Sequence, residues 1–253
     1  MNRKRIILTG ALGRMGRELV RLISLSEDCA LVGALERPWA PDMGKDIGDL
    51  VLGKAMGVRV ADDLGSAAEA ADVLLDFSQA DATAGFMRQA AEHGLAVVSG
   101  VTGLKESAEA EMARASAKVP ILWSSNMALG VNLLLTLAKL MPPVLGKDFD
   151  MEIVEIHHRH KKDAPSGTAL SLARALGSEA RPVPMHSLRM GEAVGEHQIH
   201  FVSPLEEIRI THRALSRGAF AGGALRAALW LCGRPPGRYT MLDVLGLADL
   251  MSP

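Results

Sequence analysis

The first half of the chain alternates short apolar runs with stretches of helical periodicity. Arg5–Thr9 (RIILT), Leu31–Leu35 (LVGAL), Val73–Phe77 (VLLDF), Leu95–Ser99 (LAVVS) and Pro120–Trp123 (PILW) read as strands, with a weaker one at Val58–Ala61. Gly13–Leu25, Asp81–His93 and Lys105–Ala117 read as helices, and Gly94 stands where the second of these needs a terminating glycine. Apolar strands separated by helices predict βαβ units and a parallel sheet covered on both faces. Pro38–Leu52, which holds Pro41, Gly44 and Gly48, predicts a loop.

The pattern changes near Asn126. An apolar helix is expected over Leu129–Leu140, stopping at Pro142 and Pro143. MEIVEIHHRHK, Met151–Lys161, reads as a strand too polar for the centre of a parallel sheet. A short helix, Ser166–Leu176, and a loop rich in Pro and Gly follow. His197–Val202 and Glu207–Ala214 alternate and are joined around Pro204, which predicts an antiparallel pair. Phe220–Cys232 is an apolar helix, and Met241–Leu250 a last apolar segment. The expected organisation is a doubly wound α/β domain over 1–126, rejoined by 217–253. An α+β domain with a mixed or antiparallel sheet is expected over 127–216.

Composition narrows the class. The chain has 253 residues, 48% of them hydrophobic, and a formal net charge of −1. High apolar content with so little net charge excludes disorder. The absence of a basic excess argues against a nucleic-acid partner. Two cysteines, Cys29 and Cys232, exclude a disulfide scaffold and fit small buried hydrophobes in a reducing, cytoplasmic setting. The basic start followed by IILTGALG mimics a leader for a few residues, then runs into Arg14, Arg17 and Glu18, and reads as a first strand and turn. No apolar run is long enough to cross a membrane.

Gly10-Ala11-Leu12-Gly13-Arg14-Met15-Gly16 lies between the first strand and the first helix. Glycines there let a pyrophosphate approach the backbone, and the helix N-terminus supplies unpaired N–H groups. The spacing is G-x-x-G-x-x-G, with Leu12 where a dinucleotide loop often has glycine. Glu36, 20 residues after Gly16, closes the second strand, where a carboxylate can accept from ribose hydroxyls. The adjacent Arg37 can pair with a 2′-phosphate, so the pair suggests that NADH and NADPH are both accepted. Gly100-Val101-Thr102-Gly103 and Ser124-Ser125-Asn126-Met127 also fall at carboxyl ends of predicted strands. A plain tight turn, a solvated ion pair and ordinary βα loops are the bland readings of these features.

His157-His158-Arg159-His160-Lys161-Lys162 precedes Asp163-Ala164-Pro165-Ser166-Gly167-Thr168. On a strand His157, Arg159 and Lys161 would share one face, and His158, His160 and Lys162 the other. So many cationic or titratable groups are costly unless solvated or facing an anion, and a dianionic small molecule would explain them. The amides of Gly167 and Thr168, opening a helix, offer a carboxylate cradle. A zinc site is disfavoured because adjacent strand positions diverge and no cysteine is near. A nucleic-acid patch lacks interleaved aromatics, and a solvated edge strand remains open.

GALGRMGRE, Glu36-Arg37, SGVTG, SSNMALGVN and above all VEIHHRHKKDAPSGTA resemble the 4-hydroxy-tetrahydrodipicolinate reductase (dihydrodipicolinate reductase) family of lysine biosynthesis. GEHQIHF and ITHRALSRGAFAGGALRAALWL extend the resemblance over nearly the whole chain. It implies a Rossmann-type domain plus a substrate-binding and oligomerisation domain. The implied reaction is hydride transfer from NADH or NADPH to a cyclic dicarboxylate imine with loss of water. By motif, His157 is the catalytic acid/base and Lys161 the proton donor, while His158, Gly167 and Thr168 contact substrate. Gly10, Ala11, Leu12, Gly13, Arg14, Met15, Glu36, Arg37, Gly100, Val101, Thr102, Ser124, Ser125, Asn126 and Met127 would hold the cofactor. No metal is implied, and a homotetramer assembled through the second domain's sheets is. The chain departs from the family at Leu12, at Val101 and in a shortened 181–196 linker, where Arg189 is the candidate to keep the linker arginine's role. Competing readings are another nicotinamide-dependent dehydrogenase, of the aspartate or homoserine type, and a non-catalytic cofactor-binding protein.

Overall fold

The structure is a computed structural model that describes residues 3–65, 67–177 and 181–251. In order, the elements are β1 (Lys4–Thr9), α1 (Arg14–Leu25), β2 (Cys29–Leu35), α2 (Ile47–Leu52), β3 (Val60–Ala61), α3 (Ala67–Ala70), β4 (Val73–Asp76), α4 (Ala80–Glu92), β5 (Ala96–Ser99), α5 (Glu106–Ala115) and β6 (Pro120–Trp123). There follow α6 (Leu129–Leu145), β7 (Asp150–His157), α7 (Gly167–Leu176), β8 (Met185–Arg189), β9 (Gly195–Val202), β10 (Glu207–Ala214), α8 (Gly218–Leu231), β11 (Gly237–Tyr239), α9 (Met241–Leu245) and a closing 3₁₀ turn, Ala248–Met251. They group into two units, Met1–Met127 with Phe220–Gly246, and Ala128–Ala219 with Leu247–Pro253.

The first unit is built on a seven-stranded parallel sheet in the order β11-β6-β5-β4-β1-β2-β3. Ile6, Ile7, Leu8, Val73, Leu74, Leu75, Val97 and Val98 are wholly buried, as strands covered on both faces require. The order reverses at β1, whose neighbours are β2 and β4, and this is the switch point where such sheets bind ligands. On α1, Gly16, Leu19, Val20 and Ile23 are buried, a helical spacing that sets one apolar face on the sheet.

The second unit carries a four-stranded mixed sheet, β10-β9-β7-β8, antiparallel except for the β7/β8 pair. Period-two alternation sends Met151, Ile153, Glu155 and His157 of β7 inward, with Gly195, His197, Ile199 and Phe201 of β9. Met151, Ile153, Ile199 and Phe201 pack with Leu134 and Ala138 of α6 and Ala169, Leu172 and Leu176 of α7. Each large aliphatic or aromatic side chain buried this way contributes about 1.5–3 kcal/mol, which offsets the cost of burying Glu155 among them.

The structure corrects several expectations. Pro38–Leu52 is not all loop. Asp46 caps α2, its carboxylate accepting from the amides of Gly48 (2.8 Å) and Asp49 (3.3 Å), and Gly53, at φ 70°, ends it. The same carboxylate accepts from Met56 and Gly57, so it ties both ends of the segment. α6 does not stop at Pro142–Pro143 but runs to Leu145. Each proline leaves one carbonyl of the preceding turn without its helical donor, but the ladder resumes after them, the amide of Gly146 bonding the Pro142 carbonyl at 3.0 Å. β7 stops at His157 rather than Lys161, β8 forms where a loop was expected, and β11 pairs with β6 through three residues. The stretch from Leu247 groups with the second unit, not the first.

Candidate active site

The loops at the carboxyl edge of the first sheet are shaped by glycine. Gly10 has φ 66°, and a Cβ there would lie 2.3 Å from the Phe77 carbonyl oxygen. A Cβ on Gly16 would lie 2.1 Å from the Gly10 carbonyl oxygen, so the loop and α1 approach through bare backbone. Gly13 is the N-cap of α1 and offers no side-chain cap, which leaves the helix-terminal amides to an anion. Glu36 closes the far side. Its Oε1 accepts from the Leu12 amide at 2.9 Å and its Oε2 from the Arg37 amide at 3.3 Å.

Gly10, Leu12, Gly13, Glu36 and Arg37 line one cavity of ≈ 750 Å³ with the aromatic rings of Trp39 and Phe77, within the usual size of a ligand pocket. Bare-backbone glycines, uncapped amides and a carboxylate at the second strand's end fit the pyrophosphate and ribose of a dinucleotide. Ala11 is buried, while Arg14 and Met15 sit on the first turn of α1. The Gly100–Thr102 and Ser124–Met127 loops lie at the ends of β5 and β6, on the same edge but outside this cavity. The side chain of Val101 is buried and its carbonyl accepts from Trp123 Nε1 at 2.8 Å, while Thr102 and Ser125 are exposed. The Ser124 hydroxyl donates to the Asn126 carbonyl at 2.7 Å and shapes that turn, and Met127 is buried.

Asp76, at the end of β4, is a member that the sequence reading missed. It is wholly buried. Its carboxylate accepts from the hydroxyls of Thr9 (2.6 Å), Ser78 (2.5 Å) and Ser99 (3.1 Å) and from the Ser78 amide (3.0 Å). It thereby pins the ends of β1, β4 and β5 together. The signal was a lone acid closing an otherwise apolar strand, VLLD.

In the second unit His157 ends β7, and its Nδ1 is hydrogen-bonded to the Glu155 carboxylate. Glu155 is wholly buried. Its Oε1 accepts from an Arg189 nitrogen at 2.6 Å and from the Ser166 amide at 3.3 Å. Burial alone would raise the Glu155 pKa; hydrogen bonds from Arg189, Ser187 and His157 outweigh it and bring it down to about 2. An ionised acceptor there requires the Nδ1 of His157 to carry the proton. His157 itself is held below its ordinary pKa, first by burial, against the pull of Glu155 and with the charges of Lys161 and Arg189 adding to the lowering. His197, opposite Glu155 in the β7/β9 register, packs edge-on to His157 with centroids 5.2 Å apart. Its Nε2 is 3.2 Å from the Ser166 hydroxyl, and burial pushes its pKa down to about 4.

Because β7 ends at His157, the strand-face argument for Lys161 does not hold. His158–Ala164 is a loop in which the Lys161 amide bonds the His158 carbonyl at 3.1 Å. The turn, not strand alternation, sets where Lys161 lies. The Lys161 ammonium lies 2.7 Å from both Asp163 carboxylate oxygens. His158 is half-buried and its ring is 6.3 Å from that of His160. Ser166 caps α7 through the Ala169 amide at 3.2 Å, which leaves Gly167 and Thr168 in the helix's first turn. Glu155, His157 and His197 place ligand-type atoms within 4.8 Å of one another. The Arg189 guanidinium already on Glu155 makes that set a poor home for a cation. Glu155, Ser166 and His197 were also missed, although Glu155 occupies an inward position in register with Met151 and Ile153.

The sheet order, the glycine loop and the second-strand carboxylate define a protein with a dinucleotide-binding fold. Residues 4–127 match the family model described as dihydrodipicolinate reductase, N-terminus, and residues 130–245 the one described as dihydrodipicolinate reductase, C-terminus. The chain is 45% identical to the 4-hydroxy-tetrahydrodipicolinate reductase of Anaeromyxobacter dehalogenans (strain 2CP-1 / ATCC BAA-258), over 96% of this chain and 98% of that protein. It is 41% identical to the protein of that name from Myxococcus xanthus, over 96% and 97%. Among solved structures it is similar to dipicolinate-bound dihydrodipicolinate reductase from Paenisporosarcina sp. TG-14, with TM-score 0.79 and 22% identity over 96% of this chain and 99% of the other. The chain belongs to the dihydrodipicolinate reductase family.

Proposed function

We propose that the chain reduces 4-hydroxy-tetrahydrodipicolinate to tetrahydrodipicolinate in lysine and diaminopimelate biosynthesis. One reduced nicotinamide and one proton are consumed, and one oxidised nicotinamide and one water are formed. The observation that carries this reading is the His157 imidazole, tethered at Nδ1 by a buried carboxylate that contacts through Arg189 and Asp163 join to the Lys161 ammonium.

NADH or NADPH supplies the hydride. Gly10–Met15 with the first turn of α1 take the pyrophosphate, Glu36 the ribose, and Arg37 a 2′-phosphate where there is one; Gly100–Thr102 and Ser124–Met127 complete the cofactor's contacts. Glu36 and Arg37 side by side favour use of both nucleotides. The first unit is the dinucleotide-binding part and the second the substrate-binding and oligomerisation part. His158 and the first-turn amides at Gly167 and Thr168 hold the substrate carboxylates, since an anion suits a helix N-terminus. Negative charge built by hydride addition to the conjugated imine must be protonated by a donor within reach. Lys161 delivers that proton, and the neutral His157 exchanges protons through Nε2. Val154 and Ile156 of β7, Leu188 of β8 and Val202 of β9 give the outward sheet face an apolar content suited to assembly as a homotetramer. Among the described residues no helix is long and apolar enough to cross a membrane. The test follows nicotinamide absorbance with freshly generated cyclic precursor and each nucleotide in turn. Turnover with neither nucleotide would remove the proposal.

A further inference from the structure

An ionised carboxylate with no exposed surface needs a reason. A buried ion pair is seldom a net stabiliser, and apolar replacements of similar volume often do as well. Glu155 sits between Ile153 and His157 on the inward face of β7, and three polar groups donate to its two oxygens. One oxygen takes the guanidinium of Arg189 and the Ser166 amide, the other the Nδ1 of His157. Arg189 is placed for this by the β7/β8 register, which sets it opposite His157. The same guanidinium nitrogen donates to the Asp163 carbonyl at 2.6 Å, and the Asp163 carboxylate holds Lys161. His157 and Lys161 thus lie at the two ends of one chain of contacts that runs through Glu155, Arg189 and Asp163.

The other nitrogen of the ring is kept clear. A Cβ on Gly195, across the ladder, would lie 3.1 Å from His157 Nε2, so the glycine leaves that side of the ring uncrowded. The charged or titratable groups facing this ring are Glu155 of its own strand, Arg189 of β8, His197 of β9, with His212 beyond it on β10, and Lys161 of the loop.

We propose that Glu155, clamped by Arg189, is a positioning residue for the reduction: it holds the His157 ring by Nδ1 so that Nε2 is the nitrogen that reacts. The proposal rests on the reading of His157 as the acid/base group. A carboxylate in this relation to an imidazole selects the tautomer and steadies the cation when it forms.

The experiment compares the full-length wild type with Glu155→Gln, Arg189→Lys and His157→Gln, measuring kcat, KM, the pH profile of kcat/KM and binding of pyridine-2,6-dicarboxylate. Glu155→Gln is expected to lower kcat about a hundredfold, a modest value for loss of a carboxylate that orients a catalytic imidazole, while KM and diacid binding stay within about threefold. Loss of the negative charge removes support for the imidazolium, so the limb of the profile set by His157 moves to lower pH. Arg189→Lys, which keeps the charge but not the fork, is expected to fall between that variant and wild type. If His157→Gln is slow but Glu155→Gln keeps wild-type kcat and an unmoved profile, the positioning role is overturned and the reading of His157 survives. If His157→Gln turns over like wild type, the reading itself fails. Should the Glu155 variant not fold, nitrogen NMR of the wild type decides: the proton on Nδ1 of His157 supports the proposal, and the proton on Nε2 of the neutral ring overturns it.

Discussion

Replacing Glu36 by alanine should change which nucleotide the protein prefers. In the structure Glu36 spends one oxygen on the Leu12 amide, 2.9 Å away, and the other on the Arg37 amide at 3.3 Å. Both oxygens keep lone pairs for ribose hydroxyls. A hydrogen bond to a charged acceptor is worth about 1.5–3 kcal/mol, and water partly replaces it in a half-open pocket. A net loss of about 2–3 kcal/mol for NADH follows, which is roughly 30- to 150-fold in Kd. With NADPH the 2′-hydroxyl is a phosphate, so Glu36 has one hydroxyl fewer to hold and a like charge to repel, and the loss should stay below about tenfold. Arg37→Ala should do the reverse, weakening NADPH alone, because an exposed guanidinium contributes through the phosphate it pairs. The assay is a titration of each nucleotide at fixed ionic strength, since the Arg37 contribution is screened by salt. The Leu12 amide is near solvent, so Glu36→Ala should leave the folding midpoint almost unmoved. Equal weakening of both nucleotides, with the fold intact, would refute the ribose assignment.

Lys161→Ala should cost about a hundredfold or more in kcat, the scale of a general acid, with nucleotide affinity kept; an unchanged kcat removes Lys161 from the chemistry. Asp76→Ala leaves three hydroxyls and an amide without their acceptor and should cost about 3–5 kcal/mol of stability by denaturant unfolding, whereas Asp76→Asn, which keeps one oxygen in place, should cost about half as much; a loss below about 1 kcal/mol for alanine contradicts the hub described above. Gly10→Ala forces a side chain onto φ 66° against a backbone oxygen; a stability loss above about 2 kcal/mol is expected from the left-handed backbone and the contact together, and a neutral result would mean that the loop is laxer than it looks. Stability should fall with acid in two stages. The folded pKa of His197, about 4, lies below its ordinary 6.5, so the unfolded chain binds more protons between those values and up to about 3 kcal/mol is lost as pH falls through them. Glu155, about 2 against 4.5, adds a loss below pH 4.5 of the same sign. His197→Gln should flatten the upper stage in denaturant midpoints measured across pH, and a midpoint that does not vary between pH 4 and 6.5 in the wild type would contradict it.

The parallel sheet was legible because its central strands are short, apolar and separated by amphipathic helices, and β4 and β5 are buried along their whole length. What escaped was built from weaker signals. α2 is six residues long and exists because Asp46 gathers four amides around one carboxylate. A single capping acid between Pro41 and Gly53 reads as loop chemistry until the chain's return at Met56 and Gly57 is known. The run of α6 through Pro142 and Pro143 defeats a rule that holds for helix interiors: two carbonyls of the preceding turn go without a helical donor, and the helix ends within two residues of Pro143. β11 has three residues, and pairing with β6 rather than any propensity of Gly-Arg-Tyr makes it a strand.

The site divides along the same line. The cofactor loop and the histidine–lysine segment were visible because their residue types are unusual where they stand. Of the groups behind them only Arg189 was singled out, as a linker arginine; the others are ordinary by themselves: an acid in a polar strand, a histidine in an alternating strand, a serine before a helix. Glu155 becomes informative only with the phase of β7 fixed, for then it falls inward with Met151 and Ile153, and an inward acid must have partners. The β7/β8 register supplies Arg189, the β7/β9 register His197, and the cap of α7 Ser166. Extending β7 to Lys161 gave a face argument for pairing His157 with Lys161 that the chain does not use. It turns at His158, and His157 and Lys161 are linked through Glu155, Arg189 and Asp163 instead. As β8 and the turn after it, residues 181–196 deliver a guanidinium bonded to the Glu155 carboxylate and the Asp163 carbonyl. A deletion there that moved Arg189 by a single residue would send it to the other face of the strand and take its donor away from the Glu155 carboxylate and the Asp163 carbonyl.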